Sequence, residues 1–249
     1  AAISASASSN NLSRLWEQNV LGTVNVVQAA AAVGARRFVY ASSMSVYGNG
    51  FGPIFENRSC RPLNPCAMTK LHGEHAVRIG CDLAGMEHVS LRVWNTYGPG
   101  QCLTNAEAGV GAIFAAAFLR GCCPLIFSDG KQQRDFIFVE DTAACFVAAI
   151  RSPNLRHTVY NVGTGRPATV LYFAVELGQL LAPDVRVELP EPRIEIFGDA
   201  GDCTPNVSRM MNDLATSKYY RLEQGLEAYA KHLMERRHGQ KIQTGQGGP

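Results

Sequence analysis

The sequence has no long apolar run and no concentration of charge. No stretch of about 18 or more apolar residues occurs in its 249 residues, so no transmembrane helix is predicted. The 23 lysines and arginines are scattered among 21 aspartates and glutamates and leave a formal net charge of +2. A protein that binds nucleic acid instead gathers its basic residues into a patch or stripe. We therefore expect neither a membrane protein nor a nucleic-acid-binding protein.

The sequence also lacks the usual marks of secretion, disulfide bonding and metal binding. Its first residues (AAISASASSNN) have neither the basic flank nor the apolar centre of a signal peptide. Eight cysteines are present, but none form a C-x-x-C pair, and several lie in apolar runs such as TAACFVAAI. Buried free thiols in a reducing compartment are the favoured interpretation. We therefore expect a cytoplasmic protein without a metal site.

Helical and extended patterns alternate along most of the chain. Apolar residues recur at helical spacing over 12–33 and stop at Gly34, and a β-branched and aromatic run follows at 36–43. The same reasoning predicts the helices 65–84, 109–121, 140–151, 168–182 and 221–236 and the strands 88–95, 124–127, 136–139 and 158–162. This alternation is typical of an α/β protein built on a parallel sheet.

Polar residues follow the predicted strands, where ligands of open α/β sheets bind. Three such segments are YASSMSVYG (40–48), LRVWNTYGPGQ (91–101) and SDGKQQRDFIFVEDTA (128–143). Between the first two lies NPCAMTKLHGE (64–74), in which positions 66 and 70 share one helix face because they are four residues apart. These segments are therefore the first candidates for a functional site.

These segments, in this order, resemble the extended short-chain dehydrogenases and reductases that act on nucleotide sugars, a family of NAD-dependent epimerases and dehydratases typified by UDP-glucose 4-epimerase. The match runs from about Asn19 to about Leu181 and includes NVLGT (19–23), VED (139–141) and YNVGTG (160–165). The resemblance implies a Rossmann-like, doubly wound parallel sheet with a small C-terminal substrate-binding region. It also implies NAD as cofactor and epimerisation, dehydration or decarboxylation of a nucleotide-diphosphate sugar through a transient 4-keto intermediate.

The resemblance also predicts how the chain is divided into domains. Residues 1–100 would form part of an NAD-binding Rossmann domain, residues 101–240 a mixed substrate-binding region with returning Rossmann elements, and residues 241–249 a disordered tail. The family opens with a G-x-x-G-x-x-G turn that holds the cofactor pyrophosphate, but GNGFG (48–52) has the wrong spacing and opens no helix. Because the chain starts at Ala1 rather than Met, we interpret it as N-terminally truncated, or alternatively as having lost tight NAD binding.

The catalytic residues of the family are matched only in part. In the family a serine or threonine holds the sugar hydroxyl, a tyrosine takes its proton, and a lysine four residues later binds the nicotinamide ribose and lowers the tyrosine pKa. The motifs assign Ser43 and Lys70 to two of these roles and put Cys66 at the tyrosine position. The Lys70 cation would depress a thiol pKa, but a cysteine is shorter than a tyrosine. We therefore favour reduced or absent turnover over a working thiol base. In a further alternative, Cys66 has no catalytic role and is simply a small buried residue.

The resemblance assigns further residues to ligands. Cofactor contacts are expected at Ser42, Lys70 and Val93, and substrate contacts at Ser45, Asn95 and Arg134. Asn95 would contact a phosphate of the sugar nucleotide, and the planar guanidinium of Arg134 would bind its diphosphate. Alternatively, Asn95 is an asparagine that caps a turn, and Arg134 is a solvated arginine. The family usually has a second phosphate-binding arginine where this sequence has Thr204. Tyr47 and Tyr97 are expected to pack against the pocket or to line it.

Two hypotheses follow for the function. The first is a nucleotide-sugar 4-epimerase or a related dehydratase or decarboxylase, in an incomplete or weakened form. The second is a non-catalytic member that keeps the fold for sugar-nucleotide binding or for contacts with a partner. Family members commonly pair two helices from each subunit into a four-helix bundle, and 12–33 and 65–84 would form a homodimer in this way.

Overall fold

The computed structural model describes residues 12–104, 109–153, 155–189, 202–214 and 219–244. The helices are α1 (Leu12–Trp16), α2 (Gly22–Ala32), α3 (Pro65–Ala84), α4 (Val110–Leu119), α5 (Val139–Arg151), α6 (Val170–Leu181), α7 (Ser208–Asp213) and α8 (Leu222–Thr244). The strands are β1 (Arg37–Ser43), β2 (Gly52–Ile54), β3 (Glu87–Val93), β4 (Asn95–Tyr97), β5 (Gln133–Arg134), β6 (Phe136–Phe138), β7 (Val159–Val162), β8 (Ala168–Thr169) and β9 (Cys203–Pro205). Within these residues no helix is both long enough and apolar enough to cross a membrane.

Three parallel strands form the main sheet in the order β1–β3–β7. The register pairs Ser43 with Val93 and Val93 with Val162, so the carboxyl ends of all three strands reach the same edge. Three two-stranded pairs complete the strand pairing: β2 with β9 and β4 with β6 in parallel, and β5 with β8 antiparallel. The predicted α/β architecture with a parallel sheet is confirmed.

Helices cover both faces of the main sheet. Tyr40 points to one face and packs with Val27 of α2 and Val77 of α3. Val39 points to the opposite face, as alternation along a strand requires, and packs with the cluster that contains Cys145 of α5. Helices on both faces of a parallel sheet make the arrangement doubly wound, which the family resemblance implies.

A second core, rich in aromatic residues, joins α4, α6 and α8 to β4 and β6. Tyr97 meets Phe173 edge to face with ring centroids 5.2 Å apart, and Phe136 lies 4.3 Å from Phe173. Aromatic side chains bury large areas and prefer such offset or edge-to-face pairs. The C-terminal helices are therefore packed directly onto the segment that follows β3.

The first helix differs from the continuous helix predicted over 12–33. A π-helical turn (Glu17–Leu21) separates α1 from α2. Within this turn Asn19 is buried and its Nδ2 donates to Thr69 Oγ1 of α3 at 3.0 Å, while Thr23 Oγ1 donates to the Asn19 carbonyl at 2.6 Å. Such turns are frequent at functional sites, and here the turn orients Asn19 toward the residue that precedes Lys70.

Two predicted elements are placed differently by tertiary contacts. The predicted strand 124–127 is wrong, because these residues pair with no strand in the described part of the chain; Ile126 is instead buried in the aromatic core. The predicted strand 88–95 is interrupted at Trp94. The Trp94 amide donates to Val162 of the main sheet, whereas the next amide, of Asn95, donates to Asp135. The chain therefore passes from one sheet to another at this residue.

The C-terminal boundaries also shift. Helix α6 begins at Val170, two residues later than predicted, because Thr169 caps it by accepting a hydrogen bond from the Tyr172 amide at 3.0 Å. Helix α8 continues to Thr244, beyond the predicted end at residue 236 and four residues into the segment predicted as a disordered tail. Residues 245–249 lie outside the described residues.

Candidate active site

The candidate site lies at the carboxyl ends of β1 and β3, beside the first turns of α3. Helix α3 begins where predicted because Asn64 caps it, accepting a hydrogen bond from the Ala67 amide at 2.8 Å, and Pro65 occupies its first turn. Positions 66, 70 and 74 fall on one helix face, since they are four residues apart. That face points toward β1.

Lys70 is held against the end of β1. Its Nζ donates to the Ala41 carbonyl at 2.8 Å and lies 5.5 Å from the centre of the Tyr40 ring. Burial lowers the pKa of the Lys70 ammonium, and the nearby Cys66 thiol opposes this shift. Cys66 is half-buried one turn earlier on the same face. The structure therefore brings Cys66 and Lys70 together, as the sequence predicts.

Ser43 ends β1, two residues after the Ala41 carbonyl that Lys70 contacts. Its Oγ accepts hydrogen bonds from the Ser45 amide at 3.2 Å and from Ser45 Oγ at 2.9 Å, which caps the short 3-10 helix Met44–Tyr47. Both bonds use the lone pairs of Ser43, so its own proton remains available for a ligand. Ser45 orients Ser43 and keeps only its acceptor capacity for a substrate.

Ser42 has a different environment from Ser43. It is buried, and its hydroxyl donates to the Glu74 carboxylate. Glu74 also accepts two hydrogen bonds from Arg92, from Nε at 2.9 Å and from Nη2 at 2.7 Å. A cofactor contact from Ser42 would therefore have to come from its main chain. Glu74 belongs to the segment NPCAMTKLHGE, but no motif in the sequence indicates its pairing with Arg92.

The buried ion pair extends into a larger network. The guanidinium of Arg92 donates to the Glu56 carbonyl at 3.1 Å and lies 4.7 Å from the centre of the Tyr47 ring. Burial alone would lower the Arg92 pKa, but the hydrogen bonds and charge of Glu74 raise it. Tyr47 in turn donates to Asn161 Oδ1 at 2.6 Å, and burial raises its pKa to about 12. Tyr47 is thus a packing residue rather than a proton acceptor of the site.

Asn95 and Arg134 lie on adjoining segments. The Asn95 amide donates to the Asp135 carbonyl at 3.1 Å, which places the start of β4 beside the residue after Arg134. The side-chain Oδ1 of Asn95 is buried without a hydrogen-bond partner in the described part of the chain. Arg134 is half-buried, and its Nη1 donates to the Gln133 carbonyl at 2.6 Å.

The Asp135 side chain connects this segment to the turn that follows β7. Its buried carboxylate accepts hydrogen bonds from the Thr164 amide at 2.7 Å, from Thr164 Oγ1 at 3.0 Å and from the Arg166 amide at 3.1 Å. Burial raises the Asp135 pKa, and these hydrogen bonds oppose the shift. A link between the RDF segment and the GTG turn (163–165) was not predicted, although both motifs were recognised separately.

Comparison with known proteins decides the family. The sequence model described as the NAD dependent epimerase/dehydratase family matches residues 1–163, which is well over half of the chain. The chain belongs to this family. The resemblance expected from the motifs is therefore confirmed.

Relatives within the family include several nucleotide-sugar enzymes. The chain is 37% identical over 180 residues to a UDP-glucose 4-epimerase of Mycolicibacterium smegmatis (71% of this chain, 56% of that protein). It is 31% identical over 164 residues to a dTDP-D-glucose 4,6-dehydratase of Mus musculus (66% of this chain, 45% of that protein). The chain thus spans about half the length of the curated relatives it matches.

Solved structures of the family have the same fold. A UDP-glucose 4-epimerase of Thermotoga maritima with UDP-glucose matches with a TM-score of 0.87 at 26% identity, covering 95% of this chain and 76% of that chain. A Thermus thermophilus UDP-glucose 4-epimerase in complex with NAD matches with a TM-score of 0.78 at 29% identity, covering 94% of this chain and 76% of that chain.

The residues of this family member fit one part of an NAD molecule. Val93 ends β3, and Lys70 reaches from α3 to the last residues of β1, so the two residues that the family resemblance assigns to the nicotinamide half of NAD lie at the same edge of the main sheet. The glycine-rich loop at Gly48–Gly52 is not a pyrophosphate cradle, because neighbouring groups fill the space beside Gly48 and Gly50. A Cβ on Gly48 would lie 2.0 Å from the Arg61 carbonyl oxygen, and one on Gly50 would meet the Arg58 guanidinium. This loop leads into strand β2 and not into a helix.

The thiols and the other metal-binding side chains form no further centre. None of the eight cysteines, all of which lie within the described residues, forms a disulfide bond. Cys102, Cys122 and Cys123 are exposed, so the expectation of buried thiols is wrong for these three. No group of three or more His, Cys, Asp and Glu side chains that could hold a metal ion occurs in the part of the chain that the structure describes.

Proposed function

We propose that this chain is part of an NAD-dependent nucleotide-sugar epimerase acting on a UDP-sugar through a transient 4-keto sugar, like the UDP-glucose 4-epimerases it matches. The observation that carries the proposal is the contact of Lys70 with the end of β1, the strand that Ser43 terminates. The Lys70 ammonium reaches the carbonyl two residues before Ser43, whose hydroxyl proton has no acceptor within the described residues. The matched relatives support the reaction class.

Each retained residue has a defined part in this proposal. Ser43 donates its proton to a hydroxyl oxygen of the sugar and so positions it. Lys70 binds the nicotinamide ribose, and its positive charge favours a nearby anion. NAD, when bound, supplies the hydride acceptor and donor. Asn95 and Arg134 hold the phosphates, Arg134 through its planar fork of donors.

The proton acceptor is the weak point of the site. Cys66 occupies the position that the family resemblance assigns to a tyrosine, and general-base catalysis needs hydrogen-bond reach to the proton. A thiol on the first turn of α3 extends less far than a phenol. A second candidate function is therefore a catalytically impaired member that binds sugar nucleotides, and Cys66 is the observation that favours it.

A second copy of the chain is the proposed protein partner. Both helices expected at a dimer interface carry large apolar side chains on the surface of the monomer. Val26 and Val33 lie on or next to α2, and Ile79 and Leu83 lie on α3, with Leu83 85% exposed. Pairing these two helices with their symmetry mates would cover the four side chains in one four-helix bundle.

Arg134→Ala tests the substrate assignment. Loss of a charge-assisted fork to a diphosphate costs about 1.5–3 kcal/mol, so we expect the Kd for UDP-glucose in calorimetric titration to rise roughly 10- to 150-fold. Arg151→Ala, at the exposed end of α5, is the matched control and leaves the Kd unchanged. Equal affinity of the Arg134 variant and the parent would exclude the assigned diphosphate contact.

A further inference from the structure

A cavity of about 580 Å³ lies between the start of α6 and the start of α8. Ligand sites for small molecules typically occupy about 300–1,000 Å³, so the cavity has a suitable size. Its wall includes two arginines, Arg166 and Arg221, and two tyrosines, Tyr172 and Tyr220. None of the residues assigned to NAD or to the nucleotide sugar is among the described residues that line it. The cavity is therefore separate from the candidate active site.

Arg166 brings a positive charge to the cavity that no described residue neutralises. Its side chain is exposed, and the hydrogen bonds it forms within the described residues come from its main-chain amide, to Asp135 Oδ2 and to Thr164 Oγ1 at 3.1 Å each. These bonds fix the backbone that carries the guanidinium. A guanidinium is a planar fork of donors that matches a carboxylate or a phosphate. Arg166 therefore favours a ligand with an anionic group.

The second arginine is neutralised only in part. Arg221 Nε lies 3.7 Å from Glu223 Oε2, and 73% of the Arg221 side chain is exposed. Glu223 also accepts a hydrogen bond from Tyr172 Oη at 2.9 Å. The backbone amide of Glu223 and this hydroxyl lower the pKa of the Glu223 carboxyl, which is therefore ionised at neutral pH. Two arginines against one carboxylate leave the described wall of the cavity with one positive charge in excess.

Two tyrosine rings lie beside these charges. Tyr172 is 40% exposed and Tyr220 is 38% exposed. Their hydroxyl groups are already engaged, because Tyr172 donates to Glu223 and Tyr220 donates to Glu140, each at 2.9 Å. These bonds hold the rings in place, and an aromatic ring provides a surface against which a planar group stacks. The cavity therefore combines a free cation with fixed aromatic surfaces.

We propose that this cavity is a second ligand site, which binds a small planar organic anion: an aromatic or heteroaromatic ring that carries a phosphate or a carboxylate. Arg166 binds the anionic group, and the rings of Tyr172 and Tyr220 contact the planar group. Mononucleotides and aromatic carboxylates are two sources of this chemistry. The inference goes beyond the proposed function, because binding in this cavity requires neither NAD nor a nucleotide sugar.

Calorimetric titration with one probe from each source tests the site. Adenosine monophosphate and 4-hydroxyphenylacetate are titrated into the whole chain in the presence of excess UDP-glucose, which occupies the proposed substrate site. We expect at least one probe to bind, and Arg166→Ala to weaken that binding about tenfold or more, because a charge-assisted hydrogen bond is lost. Arg151→Ala, which removes an exposed arginine outside the cavity, is the matched control and should bind the probe as the parent does.

The pattern of binding identifies the source or overturns the site. Binding of one probe alone identifies a mononucleotide or an aromatic carboxylate as the ligand, and binding of both shows that a ring with an anionic group is sufficient. If neither probe binds at millimolar concentration, or if Arg166→Ala binds as tightly as the parent, the proposal is wrong. Inorganic phosphate that binds as tightly as adenosine monophosphate would contradict the role of the tyrosine rings.

Amide resonances locate the bound probe independently of the variant. In ¹H–¹⁵N spectra of the parent chain we expect the probe to shift the amides of Arg166 and Leu222 and to leave those of Lys70 and Asn95 in place. Shifts centred on Lys70 and Asn95 would put the probe in the candidate active site and overturn the proposal. If urea unfolding shows that Arg166→Ala is not folded, these spectra decide. A chain that binds the probe but no UDP-sugar would contradict the proposed function and leave this site standing.

Discussion

Ser42 and Ser43 are neighbours in the chain, yet their hydroxyl groups lie in opposite environments. Ser42 is buried and paired with Glu74, which is in turn paired with Arg92. Ser43 is half-buried, and its proton has no acceptor in the described residues. Ser42 lies inside β1 against α3, whereas Ser43 is the last residue of the strand, so β1 supplies one serine to a closed network and the other to the open end of the sheet. The first serine supports the structure, and the second can meet a ligand.

Helix α3 repeats this contrast along its own axis. Cys66 and Lys70 lie on its first turns, next to the open site, and Glu74 follows one turn later inside the closed network. All three share one face because their spacing is four residues. A closed network at position 74 therefore holds the helix that carries the residues of the open site.

The largest expected effect is on the open side, from Cys66→Tyr. A phenol at this position would reach a proton beside Ser43 within the field of Lys70, and general acid–base groups typically contribute about 10²–10⁴-fold in rate. We expect a gain of this size in turnover of UDP-glucose. The measurement belongs in a longer protein that supplies a G-x-x-G-x-x-G unit and is shown to bind NAD.

Cys66→Ala is the control for that experiment. It removes the thiol without supplying a phenol, so it should show no gain over the parent. If the tyrosine variant turns over no faster than the parent and the alanine variant is slower, the thiol is itself a competent base. The interpretation of Cys66 as the defect of the site would then be wrong.

The next effect is on the closed side, from Glu74→Ala. Removing one partner of a buried ion pair leaves the other charge uncompensated, which typically costs about 3–5 kcal/mol. We expect the free energy of unfolding in urea to fall by this amount. Asp82→Ala on the same helix is the matched control, because its pair with Arg78 is exposed and such pairs contribute about 0.5 kcal/mol or less. Similar losses in both variants would contradict the buried network.

The smallest expected effect is a pH-dependent change in the free energy of unfolding, caused by Lys70→Met. Burial lowers the Lys70 pKa from its ordinary value of 10.5, so the unfolded chain binds this proton more tightly than the folded one. The resulting penalty is present below the folded pKa and is lost as pH rises toward 10.5. We expect the methionine variant to gain stability over the parent at pH 7 and the gain to shrink at higher pH. A gain that grows with pH would contradict the direction of the shift.

Local signals in the sequence are sufficient to predict the bounds of α3, but they do not predict which residues its side chains contact. The predicted and observed bounds of α3 agree because Asn64, Pro65 and Gly85 are short-range start and stop signals. The partner of the Ser42 side chain depends on which face of α3 packs against β1. This packing is a tertiary contact, which local sequence signals do not specify. The pairing of Glu74 with Arg92 joins residues on two different elements, so no spacing within one motif reveals it.

Interrupted elements were missed for the same reason. The break of the predicted strand 88–95 at Trp94 follows from a change of hydrogen-bond partner between two sheets. The π-helical turn around Asn19 accompanies its bond to Thr69, fifty residues away. The candidate residues Ser43, Cys66 and Lys70 were found because they belong to a sequential motif.

The π-helical turn also sets a rule for insertions and deletions. It holds one residue more than an α-helical turn, and each residue advances a helix by about 100°. Deleting one residue within Glu17–Leu21 would let the segment close as a plain α-helix with α1 in nearly its present phase, whereas deleting one residue from the α-helical turns of α2 would rotate α1 by about that angle. Trp16 would then leave His72 of α3, whose ring centroid is now 4.8 Å away. The wide turn is therefore a place where this helix can lose a residue without moving Trp16 away from His72.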